Sequence, residues 1–143
     1  MVFRKIDMPK RMHQLLDFTI RGDNRGSLIA LEGLSTQVPF NIKRVYYIFG
    51  TTPHVVRGKH AHYHLKQVLI AVSGSFDIDL DDGRNKKAIH MDSPRRGLLL
   101  DGFIWREMKN FSPDCVLMVL ASDHYDEKDY VRNYEQFLKE AAQ

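Results

Sequence analysis

The 143 residues, 43% hydrophobic, 27% charged and 10% aromatic, have the composition of an ordinary globular chain and enough length for one domain over 1–143, not for two cores. The surplus of 21 Lys plus Arg over 18 Asp plus Glu is too slight for a nucleic-acid platform, yet it allows a few arginines to be focused on a small anion. A lone cysteine, Cys115, excludes an internal disulfide, and no run approaches the roughly 18 apolar residues of a membrane span.

In chain order, the lead carries Arg4, Lys5, Asp7, Lys10 and Arg11 and has no apolar stretch of the kind that makes a secretion signal, so the expected location is the cytoplasm. Short runs rich in Val, Ile, Leu, Phe and Tyr then predict strands at Ser27 to Glu32, Lys43 to Phe49, Gly58 to His64, Lys66 to Ser73 and Ser75 to Leu80. Further strands are predicted at Lys86 to Met91, Gly97 to Leu100, Trp105 to Phe111 and Cys115 to Ser122. Turn chemistry separates them, with Asp82-Gly83 the clearest hairpin signal. Cys115 opens an apolar run and reads as a small core residue. Tyr130, Tyr134, Phe137 and Leu138 then fall on one face of a helix, with Asp126 as N-cap and Lys139 near its end. Tyr125, Tyr130 and Tyr134 read as anchors of that helix. Many antiparallel strands followed by one helix predict an all-β jelly roll or small barrel, wide enough for one small ligand.

Chemistry concentrates in Arg57-Gly58-Lys59-His60-Ala61-His62-Tyr63-His64. Residues two apart on a strand share a face, so His60, His62 and His64 form a set suited to metal ligation or proton transfer, with surface histidines as the bland alternative. Gly58 permits a bulge or a close backbone approach, and the Arg57 guanidinium can fork onto a phosphate. On the strand Lys43 to Phe49, Arg44 and Tyr46 have one parity and Tyr47 the other; Arg44 and Tyr46 are the pair expected to face the interior.

Gly58, His60, His62, Gln67 and Gly74 resemble the first cupin motif, in which metal-binding members place two histidines and a carboxylate. Here Lys66 or Gln67 holds the carboxylate slot and Arg106 the position of the second-motif histidine, so a divalent metal is disfavoured. A closer likeness covers most of the chain. Asp23-Asn24-Arg25-Gly26-Ser27-Leu28, Lys43-Arg44-Val45-Tyr46-Tyr47-Ile48, the Arg57 to His62 run, Phe111-Ser112-Pro113-Asp114-Cys115-Val116 and Ala121-Ser122-Asp123-His124-Tyr125-Asp126-Glu127 resemble the nucleotide-sugar 3,4-ketoisomerases. These are small cupins that act on dTDP-4-keto-6-deoxy-D-glucose. Members commonly carry Trp-His-Glu-Met where this chain has Trp105-Arg106-Glu107-Met108.

The resemblance implies an isomerase for deoxysugar and polysaccharide biosynthesis that moves a ketone from C4 to C3 through an enediolate, with no cofactor and no metal. It implies His62 as base, His60 as its partner and Tyr46 as donor or relay. Arg57, Arg44, Arg25, Gly58, Gln67 and Trp105 are the substrate-binding candidates, Trp105 by stacking on thymine; Trp105 as core is the competing reading. It also implies a homodimer with N-terminal strand exchange, in which the charged lead before the early strand Ser27 to Glu32 crosses over, and, from Arg25-Gly26, a galacto configuration at C4. Three alternatives stay open: a 3,5-epimerase sharing the Arg-Gly-x-His step, a metal-dependent cupin using His60, His62 and Glu107, and a non-catalytic sugar-binding cupin. Neither a nucleic acid nor a membrane is an expected partner.

Overall fold

Period-two alternation governs most of the chain, and in the computed structural model, which describes residues 13–143, it resolves into two facing antiparallel sheets. The lead with Arg4, Lys5, Asp7, Lys10 and Arg11 lies outside the described residues. The strands are β1 (His13–Asp17), β2 (Arg21–Asp23), β3 (Gly26–Leu28), β4 (Arg44–Ile48), β5 (Arg57–His62) and β6 (Lys66–Ser73). They continue as β7 (Phe76–Asp81), β8 (Lys86–Met91), β9 (Arg96–Asp101), β10 (Trp105–Lys109), β11 (Val116–Ala121) and β12 (Tyr130–Val131), before helix α1 (Tyr134–Ala141). One sheet runs β1-β9-β6-β11-β4, the other β12-β5-β10-β7-β8, and β2-β3 is a separate hairpin. This is the cupin jelly roll with a short C-terminal helix that the sequence predicts.

Between the sheets, inward residues such as Leu69, Phe76, Ile78, Leu98, Met108 and Leu117 form the main core, and Cys115 belongs to it. Burial raises the Cys115 thiol pKa, as befits a core residue. The outer face of the first sheet packs Val68, Ile70 and Leu120 against Val38, Phe40, Ile29 and Leu31. On the outer face of the second sheet, Ala61, Trp105 and Val131 meet Phe137 of α1. Among the described residues no helix is long and apolar enough to cross a membrane.

Three expectations change. The strand drawn at Ser27 to Glu32 is only Gly26–Leu28, folded back on Arg21–Asp23. Asp23 Oδ1 accepts from the Arg25 N–H at 2.8 Å, and Gly26 at φ +140° closes the turn, after which Ile29 and Leu31 leave to cover the first sheet. β1, not foreseen, takes the edge of the first sheet beside β9. The helix also starts later than predicted: Asp126 caps only a 3₁₀ turn, Glu127–Asp129, by accepting from the Lys128 N–H. Tyr130 and Val131 then pair with His62 and Ala61 as β12. Asn133 caps α1, its Oδ1 accepting from the Gln136 N–H at 2.9 Å.

Candidate active site

The site is built on the inward residues of β5, β10, β4 and β6 at one end of the barrel. A bulge enters first. Gly58 and Lys59 have φ +86° and +56°, and the β5–β10 register shifts so that Arg106 lies opposite His60 while Glu107 lies opposite Gly58. A Cβ at Gly58 would come within 2.9 Å of the Arg106 carbonyl oxygen, so glycine is required there on two counts. Beyond the bulge, His60 and His62 point inward with ring centroids 4.8 Å apart, edge to face, and Ala61 between them points out.

Both histidines are oriented through Nδ1. In His60, Nδ1–H donates to the Gly58 carbonyl at 3.0 Å. In His62, Nδ1 lies 3.1 Å from Asp129 Oδ2. Asp129 also accepts from the His64 N–H at 2.8 Å and the Leu65 N–H at 3.1 Å. A carboxylate so placed accepts only, so Nδ1 carries the His62 proton and Nε2 keeps a lone pair. His62 is 1% exposed, and its Nε2 has no hydrogen-bond partner within the chain.

Burial, then the charge of Arg106, pushes His60 down to about 4; the same two causes, with further cations around it, push His62 down to about 2. Both rings are therefore neutral bases near pH 7. The Asp129 carboxylate is the group that can accommodate the His62 imidazolium once it forms. Arg106 is 2% exposed and is itself lowered to about 10 by burial. It donates to Gln67 Oε1 at 2.5 Å and to the Ile104 carbonyl, and Gln67 Nε2 donates to the Tyr46 hydroxyl at 2.9 Å. Burial raises the Tyr46 phenol. Arg44 lies over the Tyr46 ring, and its Nε is buried with no partner in the chain. Arg44, His62, Asp129 and Tyr130 border a cavity of about 120 Å³.

The structure thus brings together His60, His62, Tyr46, Arg44 and Gln67. Tyr47 is 59% exposed on the other face of β4, as its parity requires. Arg57 is exposed at the start of β5, before the bulge. Arg25 sits at the tip of the β2–β3 hairpin with its side chain 87% exposed, held by Asp23 at 2.6 Å.

Trp105 is a correction. Because Arg106 points inward, Trp105 points outward, 6% exposed beneath α1 against Phe137 and Tyr134, and it borders a groove outside the barrel. Stacking on a base inside the barrel is not open to it. Glu107 faces the same outer groove, which removes it as a third ligand beside His60 and His62. With a buried guanidinium opposite His60, the donor set does not fit a divalent cation, and among the described residues no cluster of three His, Cys, Asp or Glu is arranged to hold one.

Two residues that contact the histidines were missed in the sequence. Asp129 is distant in sequence from the histidines it serves. Tyr130, assigned to the helix, instead packs its ring 4.9 Å from His60 and 4.3 Å from His62. Arg132 covers that ring at 4.2 Å and is gripped by Glu127 at 2.6 and 2.9 Å. The dense acidic run ending in Asp129-Tyr130 was the available signal.

The profile of the family described as FdtA, WxcM-like, C-terminal, matches residues 11–142. The chain belongs to that family. The TDP-4-oxo-6-deoxy-alpha-D-glucose-3,4-oxoisomerase of Aneurinibacillus thermoaerophilus is 49% identical over 130 residues, 91% of this chain and 93% of that one. A 3,4-ketoisomerase from Helicobacter canadensis has 50% identity over 92% of this chain and 98% of its own, with TM-score 0.88. A histidine-to-asparagine variant of the 3,4-ketoisomerase QdtA from Thermoanaerobacterium thermosaccharolyticum, in complex with TDP-4-keto-6-deoxyglucose, has 42% identity over 92% and 94%, with TM-score 0.88.

Proposed function

We propose that this FdtA/WxcM-like chain is a dTDP-4-keto-6-deoxyglucose 3,4-ketoisomerase. The observation that carries the reading is His62: a buried neutral imidazole whose Nδ1 is held by Asp129 and whose Nε2 is free. That geometry suits removal of a proton from carbon next to a carbonyl, where one positioned base contributes about 10² to 10⁴ in rate. His62 Nε2 takes the C3 proton, and the C–H electrons become the C3=C4 bond as charge moves onto the C4 oxygen. The Arg106 cation, desolvated beside the histidines, favours that charge. A proton returned at C4, with the O3 proton passed to the C4 oxygen, leaves the ketone at C3 and a hydroxyl at C4. His60 is the second base in reach. Arg44, with its unpartnered buried Nε, and Arg57 supply the cations for the pyrophosphate.

A homodimer is part of the reading, supported by the outward ladder of Val45, Tyr47 and Phe49 on and beside edge strand β4, 52%, 59% and 68% exposed. A cytoplasmic location completes it, while exchange of an N-terminal strand gains no support from β1, which pairs with β9 of its own chain. The functional test is an NMR time course in D₂O with dTDP-4-keto-6-deoxyglucose. A 3-keto product whose formation requires loss of the C3 proton is the expected result. Deuterium at C5 with the ketone retained at C4 would replace the reading with epimerisation.

A further inference from the structure

The hydrogen bonds around Gln67 set the direction in which a proton can travel. Arginine has donors and no acceptor, so the 2.5 Å contact from Arg106 Nη1 makes the Gln67 oxygen the acceptor. The other end of the carboxamide is then NH₂, and it donates to the Tyr46 hydroxyl oxygen at 2.9 Å. The phenol is the acceptor in that bond, which leaves its own hydrogen to point elsewhere. The chain cannot reverse. Arg106 and Gln67 are each 2% exposed, and Arg106 is pinned by the Ile104 carbonyl through Nη2 at 3.2 Å. No solvent rotation competes with the arrangement, and Tyr46 lies on the inward face of β4 beside Arg44.

We propose that Gln67 is a positioning residue, locked by Arg106, that fixes the Tyr46 phenol as a hydrogen donor toward a substrate oxygen. Gln67 thereby acts on the substrate through Tyr46 and not by contact, a role different from the substrate binding expected of it in the sequence. The inference rests on the ketoisomerase reading above.

The proton balance is as follows. As His62 takes the C3 proton, Tyr46 gives its hydroxyl proton to the C4 oxygen, and an enediol forms with Tyr46 as phenolate. The phenolate then takes the O3 proton, the O3–H electrons become the C3=O bond, and the C3=C4 electrons accept a proton at C4. Tyr46 is regenerated, and the net change is a ketone moved from C4 to C3. Protons between carbons pass through the imidazole and protons between oxygens through the phenol, with no external oxidant or reductant. Arg106 and Arg44 beside the ring offset the transient phenolate charge.

Gln67→Glu tests this with nearly unchanged shape. A carboxylate beside Arg106 stays ionised and accepts only, so it must take the Tyr46 hydrogen for itself. The readout is a ratio measured in D₂O with dTDP-4-keto-6-deoxyglucose: deuterium entering C3 of recovered substrate, against 3-keto product formed. In Gln67→Glu the enediolate still forms at His62 but lacks the oxygen shuttle, so the ratio rises by at least about tenfold. Tyr46→Phe gives the same shift, and the double variant adds little to either, because the two residues act as one unit. An equal fall of exchange and product, with the ratio unchanged, would mean that Gln67 serves structure alone and would overturn the inference. So would a shift in Tyr46→Phe that Gln67→Glu does not share. An unsubstituted chain that yields neither C3 exchange nor 3-keto product overturns the ketoisomerase reading itself and takes this inference with it, an outcome distinct from the other two.

Discussion

Strands β5, β10 and β12 present two faces with opposite chemistry, built from residues adjacent in sequence. Inward lie His60 and His62, Arg106 and Tyr130; outward lie Ala61, Trp105 and Val131. The inward set is buried polar material with its hydrogen bonds assigned one by one, while the outward set is apolar and sealed by Phe137 of α1. The difference teaches that burial alone does not mark a site. Trp105 and Arg106 are 6% and 2% exposed, yet only Arg106 faces the histidines inside the barrel. A one-residue slip of β5 or β10 would exchange the two sets, and the bulge at Gly58 and Lys59 sets that phase.

Substitutions on the two faces should therefore separate turnover from stability. The largest effect is expected of His62→Asn, which keeps an amide for Asp129 but removes the base: kcat falls by about 10³-fold, with the melting temperature held within a few degrees. Activity within a factor of about ten of the parent would remove His62 from the base role. On the outward face, Trp105→Ala costs about 3–5 kcal/mol in denaturant titration, while kcat per folded molecule changes by less than about twofold. A large loss of turnover in fully folded Trp105→Ala would break the comparison.

Asp129→Asn addresses the contact that crosses between segments. It disturbs the His62 tautomer and two backbone bonds, and a fall in kcat of about 10- to 100-fold is expected, with KM less affected. The pH dependence follows from the two histidines. Their folded-state values lie below the ordinary 6.5, so the unfolded chain binds more protons at mildly acid pH. Their contribution is complete above pH 6.5 and is lost as the pH falls from there, by about 2 kcal/mol per histidine at pH 5. Unfolding titrations at pH 7 and 5 measure it, and His62→Asn should shallow the slope. For the same reason kcat/KM should show no acid limb near 6.5. Arg25→Ala, on an exposed hairpin tip, should change activity by less than about twofold within one chain; a tenfold loss would show that a neighbouring protomer brings Arg25 to a site.

Much of the inward face was legible in the sequence because period two decides it. The His60–His62 pair, the pairing of Arg44 with Tyr46 and the opposition of Tyr47 to both follow from parity, which alone leaves open which set faces inward. For Trp105 two readings competed, stacking platform and core, and the strand phase, which belongs to Arg106, gives the core. Asp129 and Tyr130 were illegible for another reason. Their partners lie far back in the chain, and the amphipathic pattern that places Phe137 on the barrel also includes Tyr130, so local periodicity prefers a longer helix. Pairing of β12 with β5 overrides it.

The separation of His62 from Asp129 has a bearing on the order of synthesis. A nascent chain that has emerged through Ala121 possesses every strand from β1 to β11 but neither Asp129 nor Tyr130. Such a chain can close its barrel before the base acquires its proton-bearing tautomer. The His62 ring is therefore completed only when the segment from Glu127 to Val131 docks on β5, so that its tautomer reports on that contact and not on closure of the barrel alone.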